Sequence, residues 1–388
     1  MQVVLFDNNQ RSKLAPLTLT RAVGMIRMGV FTNKERWEFI SGNEVHIYTL
    51  PYLQVLYPKY TGTDAIWIDA AILPTKDFIE QVKELKSEEA LMDEHQRIIA
   101  CRSGISYNNF TEEELYNVHS TKIVMGLKEV EYPWQIMQWN KQAIELDIEL
   151  IKEKGIAKFS IPETVTTINR DNIFIEEGAN VQYAYLNATD GPIYISKTAT
   201  IQEGAFIRGP FVLGDNSMVK MGAKIYGATT IGPNCLVGGE IKNIVMTGNS
   251  NKAHDGYMGD SVIGEWCNFG AGSSNSNIKN TGGTVKVWNQ DARDYLPVGQ
   301  KCGLMMGDYS KTAINSSVNT GSYIGVCCNV FGSGLLPKLI NNFSWGADGK
   351  KKYDFDKALI EIKNWKEMKH AEISSADISV LKHIFDHF

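Results

Sequence analysis

The chain has 388 residues, of which 43% are hydrophobic and 21% charged, with a net charge of −5. That length suggests about two domains and the composition is that of an ordinary globular protein. No basic excess supports a nucleic-acid partner and no apolar run approaches the ~20 residues that span a bilayer; the start, Met-Gln-Val-Val-Leu-Phe-Asp, lacks the basic region and long apolar core of a signal peptide, so the expectation is cytoplasmic.

Residues 1–155 read as an α/β domain. Val3–Phe6 is a buried strand, 19–28 and 34–40 are helices, and Val45–Tyr48 and 65–68 are further strands. Asp69 follows the last of these, where a lone carboxylate is ordinarily a turn or cap residue. Residues 134–154 form one long amphipathic helix that connects to the rest.

An internal repeat governs residues 156–345. An aliphatic residue recurs every sixth position at Ile195, Ile201, Ile207, Leu213, Val219, Ile225, Ile231 and Val237. Four positions after each comes a mostly small residue, such as Ala199, Ala205, Ser217, Ala223 or Cys235. A helical period of 3.6 would scatter these side chains around a circumference, and an alternating strand lasts only about 4–8 residues. A period of six fits a coil of three short strands, each sending one aliphatic side chain inward. The frame returns at Ile263 and Phe269, and again at Met306, Thr312, Val318, Ile324 and Val330; Ile175 and Val181 start it.

Two segments fall out of frame, 243–260 and 273–303, and are expected to emerge as loops, where solenoids carry function. Cys235, Cys267 and Cys328 fall at small inward positions and read as core, and no pair among the six cysteines has zinc-ribbon or thioredoxin spacing. Residues 346–388 form a tail with two helices from residue 353, the second capped by Ser374 or Ser375, suited to plugging the end of the coil.

The run from Lys242 to Gly272 holds an Asn-Lys-Ala-His loop, then Tyr-Met-Gly-Asp, then Ile-Gly-Glu-Trp-Cys-Asn-Phe-Gly-Ala-Gly. This resembles the acetyltransferase half of the bifunctional glucosamine-1-phosphate acetyltransferase / N-acetylglucosamine-1-phosphate uridylyltransferase family. The whole chain is similar to a Bacteroidetes-type branch of sugar nucleotidyltransferases, most strongly over 195–272. The resemblance implies a left-handed parallel β-helix of hexapeptide repeats, a homotrimer with acyl-transfer sites between subunits, and acetyl-CoA as co-substrate. His254 is the sole histidine between Phe159 and Gly346 and matches the family's catalytic loop. A neutral imidazole suits deprotonation of an amine attacking a thioester. By the same resemblance Lys242, Tyr257 and Asn268 contact the sugar phosphate. Lys286 matches a further phosphate-contacting lysine in Asn-x-x-Gly-x-x-Lys, if three residues are inserted before it, with Asn280 as its asparagine. Ala271 lines the acetyl-CoA site.

Arg11-Ser12-Lys13-Leu14-Ala15-Pro16-Leu17-Thr18-Leu19-Thr20-Arg21 resembles the opening of sugar-1-phosphate nucleotidyltransferases. It implies NTP binding by Arg11, Lys13 and Arg21, and Mg²⁺ at Asp69 if the site is active. The sequence departs from that pattern: Asp7-Asn8-Asn9-Gln10 replaces the glycines, Ala22-Val23-Gly24 replaces the following Pro-Lys, and the domain is short for the family.

The leading expectation is an acetyl-CoA-dependent N-acetyltransferase on an amino-sugar phosphate, with an N-terminal sugar-1-phosphate nucleotidyltransferase-like domain. Two alternatives stay open: nucleotidyl transfer alone with the coil as trimerisation scaffold, and a non-catalytic sugar-nucleotide-binding protein. A histidine-borne zinc site between subunits needs several imidazoles, and the coil has only His254.

Overall fold

The computed structural model describes residues 1–155 and 160–388, so the expected boundary at 155/156 borders residues outside the described set. Val3–Phe6 is apolar on both faces, as a strand inside a covered sheet must be. It lies between Val45–Tyr48 and Ala65–Asp69 and is parallel to both. Ile98–Ser103, Glu89–Met92 and Ser120–Ile123 extend the sheet to six strands. The helix Asn33–Ser41 starts from a capping box in which Thr32 and Glu35 satisfy each other's backbone N–H groups.

Two expected helices differ. Segment 19–28 is not a helix but a series of turns with a 3₁₀ turn at Val23–Met25 and a short strand at Arg27–Met28. Its backbone is satisfied by side chains instead of by its own ladder: Val23 N–H donates to Asp7 Oδ1 at 2.8 Å, Ala22 N–H to Tyr57 Oη at 3.1 Å, and the Arg11 guanidinium takes the carbonyls of Thr18 and Arg21. Segment 134–154 is two helices, Pro133–Gln138 and Asn140–Glu153, broken at Trp139. The break frees Asn140 to bridge: its Oδ1 accepts from Gly29 N–H at 2.8 Å and its Nδ2 donates to Thr230 Oγ1 of the coil at 3.0 Å.

From Thr166 to Ile340 the chain winds as the expected parallel β-solenoid, its strands stacked in register. Ile175, Ile195, Leu213 and Ile231 form one inward column; Val181, Ile201, Val219 and Val237 form a second; Leu186, Ile207, Ile225 and Ile241 form the third. All belong to one buried cluster, together with Cys235, Cys267 and Cys328. Burial pushes the Cys235 thiol up to about 12 and that of Cys328 to about 11, as for core filler.

Segment 243–260 is not a loop. It stays in the coil as Glu240–Gly248, Asn251–Lys252 and the start of Tyr257–Glu265. The coil is shortened instead: Ile231 pairs with Met246, fifteen positions on, where Leu213 pairs with Ile231 at eighteen. The six-residue frame slips while the inward columns continue. Segment 273–303 keeps Ser274–Asn275 in the coil, paired in parallel with Ser317–Val318, and leaves it only after them, with an antiparallel hairpin of Val285–Asn289 and Asp294–Gly299. Its Val285 and Val287, with Val245, Val262 and Met305 from the solenoid, join the core cluster of the N-terminal sheet.

The tail forms the expected helices Phe355–Glu367 and Ser375–His387, the second capped by Ser374. It does not plug the coil. It runs along one side, where Lys369 Nζ donates to Asn234 O at 2.8 Å and Asn249 O at 2.9 Å, and Lys311 pairs with Glu361 at 2.6 Å. Val380, Leu381 and Ile384 pack with Ala15, Leu19 and Leu53 of the N-terminal domain.

The N-terminal domain is pinned by one buried ion pair. Arg36 meets Asp147 through Nε at 2.7 Å and Nη2 at 3.0 Å, and Asp147 Oδ2 also accepts from Val30 N–H at 2.8 Å. Burial pushes the Asp147 carboxyl up and Arg36 pulls it down. Removing one partner strands a buried charge, so Asp147→Ala is expected to cost about 3–5 kcal/mol. Arg36→Met/Asp147→Leu is expected to recover most of it. Chemical denaturation of the variants measures both, and a single-variant loss under about 1 kcal/mol would contradict the assignment.

Candidate active site

Of the expected acyl-transfer residues, His254, Ala271, Tyr257, Lys242 and Asn268 lie at one corner of the solenoid and its two adjoining faces. Asn251–Lys252 ends one face, His254 and Asp255 turn the corner, and Tyr257 opens the next face. The corners are stacked: Asp255 O accepts from Gly272 N–H of the next coil at 3.1 Å, which sets Ala271 beside the His254 turn. The His254 side chain is exposed and makes no hydrogen bond to another described residue.

Lys242 and Tyr257 share the face after the corner. Glu240 pairs with Tyr257 and Lys242 with Gly259. The Tyr257 ring folds back over Gly259, where any Cβ would collide with its hydroxyl. That brings the phenol toward Lys242, which is exposed. Tyr257 Oη accepts from Asn277 Nδ2 at 3.0 Å; the same amide donates to Asp260, whose other oxygen accepts from Asn243 Nδ2 at 2.6 Å. Burial, with Asp260 and Glu240 nearby, pushes the Tyr257 phenol up to about 12, so it stays a donor at neutral pH.

Asn268 lies on the preceding face, its Oδ1 accepting from Asn251 Nδ2 at 3.4 Å. Asn280 and Lys286 are exposed on the 273–303 excursion, and no described hydrogen bond or ion pair joins either to the His254 corner.

The residue that the sequence reading missed is Lys252. It occupies the inward column, paired with Val237, and is 1% exposed. Its Nζ donates to Gly238 O at 3.3 Å and to the carbonyl of His254. Desolvation pulls its pKa down to about 8, with Asp255 opposing. The ammonium therefore ties the backbone of the His254 turn to the interior. Residue spacing carries no signal for it, since a shortened coil and a departing loop break the six-residue frame alike, and the pairing of Lys252 with Val237 is what shows it.

In the N-terminal domain the expected nucleotide-binding groups are held internally. Arg11 Nε pairs with Asp7 at 2.9 Å, besides the two carbonyls noted above. Arg21 is buried against Asp308, with Glu265 at 3.2 Å, and both carboxylates come from the solenoid. Lys13 Nζ donates to Gln10 Oε1 at 2.6 Å and lies 3.6 Å from Glu131. Ser12 Oγ donates to Asp291 Oδ1 at 2.6 Å and Asn289 Nδ2 to Lys13 O at 3.0 Å, so the hairpin of the excursion clasps the same loop.

Asp69 is 1% exposed at the carboxyl end of its strand. One oxygen accepts from Ala71 N–H at 2.9 Å and the other from Asn8 Nδ2 at 2.9 Å, with Arg97 Nη1 3.5 Å away. Burial pushes its carboxyl up to about 7 against the pull of Arg97. Mg²⁺ needs free oxygen ligands in near-octahedral array. Asp69, expected as the metal carboxylate, accepts one N–H donor on each oxygen and faces the Arg97 guanidinium, which is forked onto Glu129, so a fixed positive charge stands where the ion would sit and the residues as arranged do not fit it. No group of three or more His, Cys, Asp or Glu with metal-holding geometry occurs among the described residues.

Residues 3–155 match the family model described as "Sugar nucleotidyl transferase". Among curated proteins, the chain is 34% identical over 111 residues to the bifunctional protein GlmU of Methanocaldococcus jannaschii, covering 28% of this chain and 27% of that protein. It is 34% identical over 92 residues to the bifunctional sugar-1-phosphate nucleotidylyltransferase/acetyltransferase of Sulfurisphaera tokodaii, covering 24% and 23%. The matches thus span about a quarter of the length of these relatives. Among solved structures, an Arabidopsis UDP-N-acetylglucosamine acyltransferase aligns with TM-score 0.24 and 15% identity, covering 59% of this chain and 97% of that one. Residues 3–155 are similar to sugar nucleotidyl transferases, in a chain that resembles in part the bifunctional sugar-1-phosphate nucleotidylyltransferase/acetyltransferases.

Proposed function

We propose that the protein is an acetyl-CoA-dependent N-acetyltransferase for an amino-sugar phosphate of the glucosamine-1-phosphate type, with its reaction at the His254 corner. The observation that carries this reading is the corner itself: an unpaired, exposed imidazole on a turn fixed from inside by Lys252, with Lys242 and Tyr257 on the adjoining face. His254 takes a proton from the substrate amine as its nitrogen attacks the thioester carbon. The tetrahedral oxyanion collapses, the C–S bond breaks, and the CoA thiolate leaves and takes up a proton. Lys242 meets the sugar phosphate as a point charge, with the Tyr257 hydroxyl and the Asn268 amide as further polar contacts. Ala271 stands beside the acetyl-CoA, and Asn280 and Lys286 approach the phosphate from the excursion.

The reading includes a homotrimer in which such corners lie between subunits. One face of the solenoid supports it. Tyr185, Phe206, Lys224, Glu240 and Tyr257 stand in one outward row, and Asn187 and Arg208 then Tyr226 and Lys242 mark the row beside it. Tyr185 and Phe206 stack with ring centroids 4.7 Å apart, yet Phe206 is 52% exposed. Exposed rings gathered in this way mark an interaction surface, and the same row continues through the charged Lys224 and Glu240 to Tyr257. We keep the division into 1–155, 156–345 and 346–388, and a cytoplasmic setting.

The match of residues 3–155 to sugar nucleotidyl transferases favours a second reading for that domain, transfer of a nucleotidyl group from an NTP to a sugar-1-phosphate. The internal pairing of Arg11, Lys13 and Arg21 weighs against it.

With glucosamine-1-phosphate and acetyl-CoA, thiol release is expected to fall about 10²–10⁴-fold in His254→Ala. Release equal to that of the wild type would sink the assignment, as would absence of release from the wild type across several amino-sugar phosphates. Sedimentation is expected to give three times the chain mass. Phe206→Glu is expected to shift the species to monomer and to reduce acetyl transfer with it; an unchanged monomer in both proteins would remove the trimer from the proposal.

A further inference from the structure

Four charged side chains meet at the carboxyl end of the strand Ala65–Asp69, where open α/β sheets bind their ligands. Arg97 forks onto Glu129, with Nη1–Oε1 at 2.7 Å and Nη2–Oε2 at 2.6 Å. Its Nε faces Asp93 at 3.2 Å and its Nη1 faces Asp69 at 3.5 Å. Asn8 Nδ2 bridges the same pair of carboxylates, at 2.9 Å to Asp69 and 2.8 Å to Glu129. One guanidinium thus sits among three carboxylates, in a planar bidentate geometry that a lysine could not reproduce. Every carboxylate oxygen of Asp69 and Glu129 already accepts at least one N–H donor, and Glu129 Oε1 accepts two.

A guanidinium stays protonated throughout the accessible pH range, so it cannot be displaced by titration. A divalent ion entering here would have to expel Arg97 from three carboxylates and would then find a fixed positive charge beside it. The same economy rules the neighbouring loop: Arg11 is spent on Asp7 and Arg21 on Asp308 and Glu265, which leaves no unpaired arginine there for a triphosphate.

We propose that Arg97 is the resident cation of the N-terminal site, standing between Asp69 and Glu129 where a divalent metal would otherwise be held, and that this domain takes no metal–triphosphate complex. The proposal rests on the sugar nucleotidyl transferase match of residues 3–155 and is independent of the acetyl-transfer reading, whose failure would leave the following titration unmoved.

The test uses the full chain and Mn²⁺ alone, with the free ion followed by electron paramagnetic resonance. The wild type is expected to show no Asp69-dependent site tighter than about 1 mM, a weak limit for protein carboxylate sites. Arg97→Met frees the carboxylates and is expected to gain one bound Mn²⁺ per chain, lost again in Arg97→Met/Asp69→Asn. Arg97→Gln, which keeps a donor toward Glu129, is run in parallel in case the methionine variant does not fold, and is expected to show the same gain in weaker form. Wild-type binding that Asp69→Asn abolishes would overturn the proposal. So would folded Arg97 variants that bind no more Mn²⁺ than the wild type.

Discussion

The interior of the solenoid sets the terms for everything attached to it. A parallel coil three short strands around has room for one inward side chain per strand, and each must sit on the one below. Columns such as Ile195, Leu213 and Ile231 satisfy this without effort. The coil that carries His254 satisfies it with a lysine. Leaving an ammonium unpaired there would cost several kcal/mol; pairing it with the carbonyls of Gly238 and His254 converts the cost into a constraint. The outward imidazole is thereby borne on a turn whose carbonyl is tied to the interior, the fixed placement that the proposed general-base role requires.

The N-terminal domain is built against the same coil, and its chemistry bends to that fact. Its core is continuous with the outward residues Val245, Val262 and Met305, and its opening loop is clasped by Asp308 and Glu265 of the solenoid and by Asp291 at the turn of the hairpin. A loop that wraps a triphosphate must keep its backbone N–H groups and arginines free. Here the backbone is consumed by Asp7 and Tyr57 and the arginines by carboxylates. The missing glycines at 7–10 agree with this, since side chains at Asp7 and Asn8 now do structural work that glycine could not.

Much of this was legible in the sequence. The six-residue period names the inward residues because only one side chain per strand can face the lumen, so register follows from spacing. The same rule failed at 243–260, where shortening a coil and leaving it produce the same break in frame; strand pairings such as Ile231 with Met246 and Val237 with Lys252 separate them. Segment 19–28 has helical apolar spacing, but long-range partners such as Asp7 and Arg11 satisfy its backbone, and spacing carries no trace of such partners. Arg97 and Glu129 lie thirty-two positions apart and meet Asp69 only through the order of the sheet strands. Asp260 and Asn277 join Tyr257 because the chain turns a corner at each, again a matter of fold and not of motif.

The two candidate sites differ in one physical respect that decides between them. In the N-terminal domain every basic group near the expected site has its counter-charge within the protein, so a phosphate would have to compete with buried carboxylates of matched geometry. On the solenoid face, Lys242 has no ion-pair partner and His254 no hydrogen-bond partner among the described residues, while the groups around them are tied down: Tyr257 by Asn277, Asp260 by Asn243 and Asn277, the turn by Lys252. A site that binds an anion and moves a proton needs this combination, fixed surroundings with free functional groups. A site whose functional groups are themselves the fixing elements is spent on stability, and that is the condition we propose for the domain in which Arg97 stands.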